Sequence, residues 1–181
     1  MKVHAFFPGS FSPFHDGHFE LIRYFLEKFT DDFILEICVS NKCRDDIPSN
    51  IKVDFIKQIF DNYTNVLITE CDNPIKYVYE NTNDKNVSYI LISGNKDNDN
   101  RSELYEKYFN KSGYIILNEN FIQYKLDNKV VSARYLRDFI KDNNYIEFVK
   151  YYKNIITNSC IKDKEVKKLF ERLKSFKKFK D

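Results

Sequence analysis

No apolar run in the 181 residues approaches the ~20 needed for a membrane-spanning helix, so no membrane association is expected. The opening residues Met1–Pro8 hold too short an apolar stretch for a signal peptide. The four cysteines, Cys38, Cys43, Cys71 and Cys160, show neither a CxxC pair nor zinc-ligand spacing. Without an export signal they read as reduced thiols, and the protein is expected to be cytoplasmic. This excludes a secreted disulfide scaffold. Only four glycines and four prolines are present, and no linker rich in Gly, Pro or Ser divides the chain. Neither is there an internal repeat, so one domain is expected. No charge sign dominates: the formal net charge is +2, too small for a polyelectrolyte binder. The basic residues are concentrated late, with nine Lys/Arg against four Asp/Glu over residues 162–181.

What is present is ordinary globular material, 43% hydrophobic and 31% charged, long enough to bury one sizeable core. Short apolar runs at Val3–Phe7, Phe33–Ser40, Val66–Glu70, Val87–Ser93 and Tyr114–Leu117 read as strands. Between them, helical spacing appears over Phe19–Phe29, after a cap at Ser49 or Asn50, after Asp72-Asn73-Pro74, and over Arg101–Asn110. This alternation predicts an α/β fold: a Rossmann-like, doubly wound, parallel five-stranded sheet. From Ser132 the pattern is helical, with Ser132 as a cap and further helices over Tyr145–Tyr152 and Lys162–Phe179. Residues 1–150 are therefore expected to form the main domain, and 151–181 a helical extension packed on it. Ligands of such a sheet bind beyond the carboxyl ends of its strands.

One loop at such an end carries chemistry. Residues 8–18 read Pro-Gly-Ser-Phe-Ser-Pro-Phe-His-Asp-Gly-His, between the first strand and the first helix. Gly9 and Gly17 allow backbone geometry and close ligand approach. His15 and His18 stand at a helix entrance, where backbone N–H groups and the helix dipole favour an anion. The arrangement suits a polyphosphate, with amides cradling it and imidazoles donating hydrogen bonds. Taken alone, the histidines could equally be a turn residue and a cap. For zinc, no third ligand has convincing spacing, and no protein metal site is expected.

The string Gly9-Ser10-Phe11-Ser12-Pro13-Phe14-His15-Asp16-Gly17-His18 resembles the HxGH signature of the nucleotidyltransferase superfamily. Ser12 stands where that family usually has an acidic residue. A second string, Val131-Ser132-Ala133-Arg134-Tyr135-Leu136-Arg137, resembles the family's ISSTxxR signature, with Arg134 at a position often Thr or Ser. Ser93-Gly94-Asn95 is similar to a segment beside the nucleotide in archaeal-type nicotinamide-mononucleotide adenylyltransferases.

The resemblance implies residue roles. His15, His18 and Arg137 would contact the phosphates, and Lys42 after the second strand would add a cation. Gly9, Ser10, Phe11, Gly17, Ser93, Gly94, Asn95, Ser132 and Arg134 would line the nucleotide site. The implied reaction moves AMP from ATP to the phosphate of a small acceptor and releases pyrophosphate. Mg²⁺ is expected with the ATP, held mainly by phosphate and water. The acceptor leans towards nicotinamide mononucleotide, giving NAD. The alternative is phosphopantetheine, giving dephospho-coenzyme A, although the two arginines usual at the fourth-strand end are replaced by Ser93 and Asn95-Lys96. CTP-using relatives carry an RTxGxST string, which is absent. The superfamily often forms homo-oligomers.

A reading from another class starts from the basic stretch Lys162–Lys180, with Val166, Leu169, Phe170, Leu173 and Phe176 at helical spacing. It would make the protein a nucleotide-binding module whose C-terminal helix binds a partner or nucleic acid. Packing of that helix on its own domain is favoured, because a solvated lysine face is common and no aromatic stacking platform is evident. Nucleic acid is thus not expected as a partner.

Overall fold

β1 (Lys2–Gly9) is buried on both sides, with Ala5 and Phe7 facing one core and Phe6 the other. That is the pattern of a parallel strand covered on both faces. In the computed structural model, which describes residues 2–29, 32–42, 47–84, 86–92, 125–127 and 129–176, β1 lies between β2 (Phe33–Ser40) and β4 (Val87–Leu91). With β3 (Val66–Cys71) the order is β3-β2-β1-β4, all parallel. The sheet has four strands among the described residues rather than the five expected. The helix and strand expected at 101–110 and 114–117 lie outside those residues.

The crossovers follow from where apolar side chains fall. α1 (Asp16–Lys28) and α2 (Ser49–Ile59) send Phe19, Ile22, Phe25, Ile51, Phe55 and Ile56 into the larger core on one face. α3 (Pro74–Glu80) covers the other face, where Val78 joins Phe6, Cys38, Tyr89 and Leu91. The chain therefore steps from β1 to β3 over one face and returns over the opposite one to β4, beside β1. Such a rearrangement opens a crevice at the carboxyl ends of the strands.

Two helix starts differ in detail. α3 begins as expected, with the Asn73 side chain accepting from the N–H groups of Ile75 and Lys76. α2 is not capped by Ser49 or Asn50. Its N-cap is Pro48, whose φ of −60° and ψ of 145° deliver an extended chain to Ser49 without a side-chain bond.

A short antiparallel hairpin, β5 (Lys125–Leu126) and β6 (Lys129–Val130), leads into α4 (Ala133–Lys141), which Ser132 caps as expected. The helix expected over 145–152 is α5 (Tyr145–Lys150), which stops at Tyr151–Tyr152, and a further helix that was not expected follows, α6 (Lys153–Asn158). Both tyrosines are buried. Tyr151 packs on Phe139, and Tyr152 packs on Phe55 and Phe148. α7 (Asp163–Lys174) buries Val166, Leu169, Phe170 and Leu173 in the sheet's own core. Its apolar stripe is thus used for internal packing, and Lys167, Lys168 and Arg172 are left exposed. Among the described residues, no helix is long and apolar enough to cross a membrane.

Candidate active site

β1 ends at Gly9, and α1 starts at Asp16. The six residues between them fold back on the strand. Phe11 adopts a φ of 45°, and its ring turns over Gly9. A Cβ on Gly9 would sit 2.7 Å from the Phe11 ring. A Cβ on Gly17 would lie 3.1 Å from the His15 ring. Each glycine therefore makes room for a side chain of its own loop. Neither has a positive φ, so the freedom of backbone geometry expected of them is not used.

The Phe11 and Phe14 rings are buried under the loop. The His18 ring rests against them at 5.1 and 5.3 Å between centroids, with Phe7 at 6.0 Å. His15 (5% exposed) is the N-cap of α1 and stacks on His18 at 3.8 Å. The pair forms a reciprocal capping box. The Gly17 N–H donates to His15 Nδ1 at 3.1 Å, and the His15 N–H donates to His18 Nδ1 at 3.3 Å. Because both Nδ1 lone pairs accept from the backbone, each neutral ring carries its proton on Nε2. The backbone thereby makes two adjacent imidazoles into N–H donors at the positive end of a helix dipole.

The amides at the start of α1 do not form the expected cradle. The N–H groups of Asp16, Gly17, His18 and Phe19 go to the Tyr151 carbonyl, His15 Nδ1, and, for the last two, the His15 carbonyl. All four amides that open α1 are engaged inside the protein. Contact with an anion at the start of α1 therefore falls to the side chains.

The second motif meets the first. The Val131 side chain lies within ordinary contact of the space beside Gly17. Arg137, half-buried on α4, donates from Nη1 to the Ser12 carbonyl at 2.8 Å. The Ser12 hydroxyl turns inward to the Ser10 carbonyl. The Ser132 hydroxyl accepts from the Arg134 N–H, while the Arg134 side chain stands exposed. Arg137 is thus brought to the histidine loop, and Arg134 is left at the surface. Lys42 is exposed at the carboxyl end of β2. Ser93, Gly94 and Asn95 lie outside the described residues.

Two charged residues at this end of the sheet escape the sequence reading. Lys52 on α2 is buried (3% exposed), and its ammonium donates to the carbonyls of Ser40 and Lys42 at 2.7 and 3.4 Å. Helical periodicity places it among apolar neighbours with nothing to mark it. Asp16 is buried in the motif itself, its carboxylate turned to the start of α6. Burial pushes its pKa up to about 7 against the opposing hydrogen bonds from Asn154 and Ile155, with Glu20 adding to the rise. A separate acid, Glu36, lies on the other face of the sheet. Burial raises its pKa, but His4, Thr69 and Tyr77 around the carboxylate outweigh that and hold it below its ordinary value. Among the described residues, no three His, Cys, Asp or Glu side chains gather as a metal site.

A model of the cytidylyltransferase-like family matches residues 6–159, most of the chain and both motifs. The chain belongs to the cytidylyltransferase-like family. This cytidylyltransferase-like protein is a nucleotidyltransferase, and its sheet is the Rossmann-like one expected. No curated protein sequence matches it. Among solved structures, it is similar to Plasmodium falciparum nicotinic acid mononucleotide adenylyltransferase complexed with APC. The TM-score is 0.56 at 12% identity, over 87% of this chain and 95% of the other. The same enzyme complexed with NaAD gives a TM-score of 0.54 at 14% identity, with the same coverage. At these identities the likeness is one of fold.

Proposed function

We propose that the protein transfers AMP from ATP to the phosphate of a pyridine mononucleotide, releasing pyrophosphate. One observation carries the reading: the stacked His15 and His18 rings, each accepting a backbone N–H at Nδ1, on the same loop that Arg137 grips.

An acceptor phosphate oxygen, already ionised at neutral pH, attacks the α-phosphorus. A new P–O bond forms as the bond to the β-phosphate bridging oxygen breaks, and pyrophosphate leaves with that electron pair. No side chain needs to remove a proton, and neither histidine is arranged to do so. A ring whose Nδ1 already accepts a bond and whose Nε2 holds the proton has no lone pair left for a base. What the rings supply is two preorganised N–H donors for oxygens whose charge grows in the transition state. Arg137 supplies a guanidinium for the departing phosphates, and Lys42 a further cation at the rim. Mg²⁺ enters with ATP as part of the substrate. The donors at this turn are N–H groups suited to phosphate, and the buried carboxylate of the motif, Asp16, points at α6.

The Ser93-Gly94-Asn95 string favours nicotinamide mononucleotide, and the structural neighbours act on nicotinic acid mononucleotide. The purified protein, incubated with ATP and Mg²⁺, should convert one of these two mononucleotides to its dinucleotide with one pyrophosphate released, as identified by mass. Product from phosphopantetheine alone would move the protein to coenzyme A synthesis. No product with any of the three, alongside salt-dependent nucleic-acid binding, would favour the binding-module reading.

A further inference from the structure

We propose that Asp16 is a positioning residue, through which the start of α6 holds the two-histidine turn in its donor geometry. An acid in the first turn of a helix ordinarily serves that helix's own dipole from the surface. Asp16 does otherwise. It is fully buried (0% exposed), and its oxygens leave α1 altogether. Oδ2 accepts from the Asn154 N–H at 2.9 Å, and Oδ1 from the Ile155 N–H at 3.0 Å. Its own N–H donates to the Tyr151 carbonyl at 3.0 Å. Three hydrogen bonds therefore run from one residue to the α5–α6 turn, about 138 positions along the chain.

The position of that residue matters. Asp16 lies between His15 and Gly17, the two residues whose backbone bonds set the ring tautomers. The His15 N–H fills His18 Nδ1, and the Gly17 N–H fills His15 Nδ1. Any rotation of the peptide units around residue 16 would release one or both rings. A ring so released takes either tautomer, and with Nδ1 protonated it no longer presents the same donor to a phosphate. Near Asp16 stand Glu20 on its own helix and the buried Tyr152 hydroxyl, which has no hydrogen-bond partner among the described residues. No cation among these neighbours offsets the carboxylate. Its partners are the α6 amides, so the acid and the helix start depend on each other. The break between α5 and α6 is explained as well, since it exposes the amides of Asn154 and Ile155 to the motif.

The proposal rests on the nucleotidyl-transfer reading only for its kinetic arm. The full chain is compared with Asp16→Ala, Asp16→Asn and Ile161→Ala; Ile161 is a buried residue beyond α6 that touches none of these bonds. Ring-nitrogen NMR near neutral pH should show Nε2–H tautomers for His15 and His18 in the parent chain and in Ile161→Ala. In Asp16→Ala, or in Asp16→Asn if the alanine variant does not fold, the two tautomers should mix. With the acceptor present, kcat should fall about tenfold to a hundredfold in the folded Asp16 variant, with KM for ATP changed by less than about threefold. Ile161→Ala, at comparable loss of stability, should keep its kcat. Unmixed Nε2–H spectra in a folded Asp16 variant would overturn the proposal. So would equal tautomer mixing in Ile161→Ala, since Asp16 would then be only a stabilising contact. If the parent chain turned over no acceptor, the transfer reading would fail, and the spectra would still decide the role of Asp16.

Discussion

Arg137 donates to the carbonyl of Ser12 at 2.8 Å, joining α4 to the histidine loop across 125 positions of sequence. Ser12 is buried, so its carbonyl depends on this donor for satisfaction. The bond serves two ends: it closes the loop against α4, and it delivers a guanidinium to the place where phosphates would lie.

Replacing Arg137 with Ala should therefore show in two measurements. Unfolding by urea should register a loss of about 1.5–3 kcal/mol for the missing charged hydrogen bond. Turnover with ATP should fall about 10²-fold, as for removal of one charge-stabilising donor. Arg137→Lys should recover most of the stability and little of the rate, because an ammonium does not reproduce the planar fork. Equal recovery of both would show that the guanidinium acts only on the loop.

His18→Ala tests the donor itself. The expected loss in kcat is about 10²–10³, with the far-ultraviolet circular dichroism of the parent. Near-normal turnover in this variant would remove His18 from the mechanism.

Gly9 makes a prediction about packing rather than chemistry. In Gly9→Ala the new methyl meets the Phe11 ring at 2.7 Å, and that ring braces His18. The overpacked loop should lose about 1–3 kcal/mol of stability. In a Phe11→Leu background the same change should be nearly free, and the double-mutant cycle should give a coupling of about 1 kcal/mol or more. Additive effects would mean that Gly9 is needed for something other than room for Phe11.

Two carboxylates should bend the pH dependence of stability in opposite ways. Asp16 has its folded pKa raised to about 7 by burial, so the folded state binds the proton that the unfolded chain releases near 3.8. Its contribution is fully present below the unfolded value and is lost as pH rises towards 7, on the order of a few kcal/mol. Glu36 has its folded pKa lowered. Its contribution is present above the ordinary carboxylate value and is lost as pH falls through the folded one. Urea titrations from acid to neutral pH should show the neutral-side decline flattened in Asp16→Asn and the acid-side decline flattened in Glu36→Gln. Unchanged slopes in both variants would place the linkage elsewhere.

The elements with local signals were legible in advance. β2 runs over Phe33–Ser40 as read, because a nearly continuous apolar run with β-branched residues marks a strand covered on both faces. α3 starts at the Asn73-Pro74 signal, and α4 starts at Ser132. Where two local signals competed, the outcome depended on neighbours. Pro48 displaced Ser49 as the cap of α2, and the buried tyrosine pair at 151–152 ended α5 before the expected boundary and led into α6, which periodicity had not marked.

For the site, His15, His18 and Arg137 were singled out by the resemblance of two strings to family signatures, and the fold brings Arg137 to the histidine loop. The disposition of the hydrogen bonds was a different matter. The opening amides of α1 are consumed by the loop and by Tyr151, Gly9 shelters a phenyl ring, and the acid of the motif caps a helix about 138 positions away. The first two are largely settled within the loop, whereas the bonds of Asp16 to Tyr151, Asn154 and Ile155 pair groups remote in sequence. A string of residues specifies which groups can donate and accept. Only the packed chain decides which of them face one another, because burial leaves every polar group in search of a partner and folding determines which one is within reach.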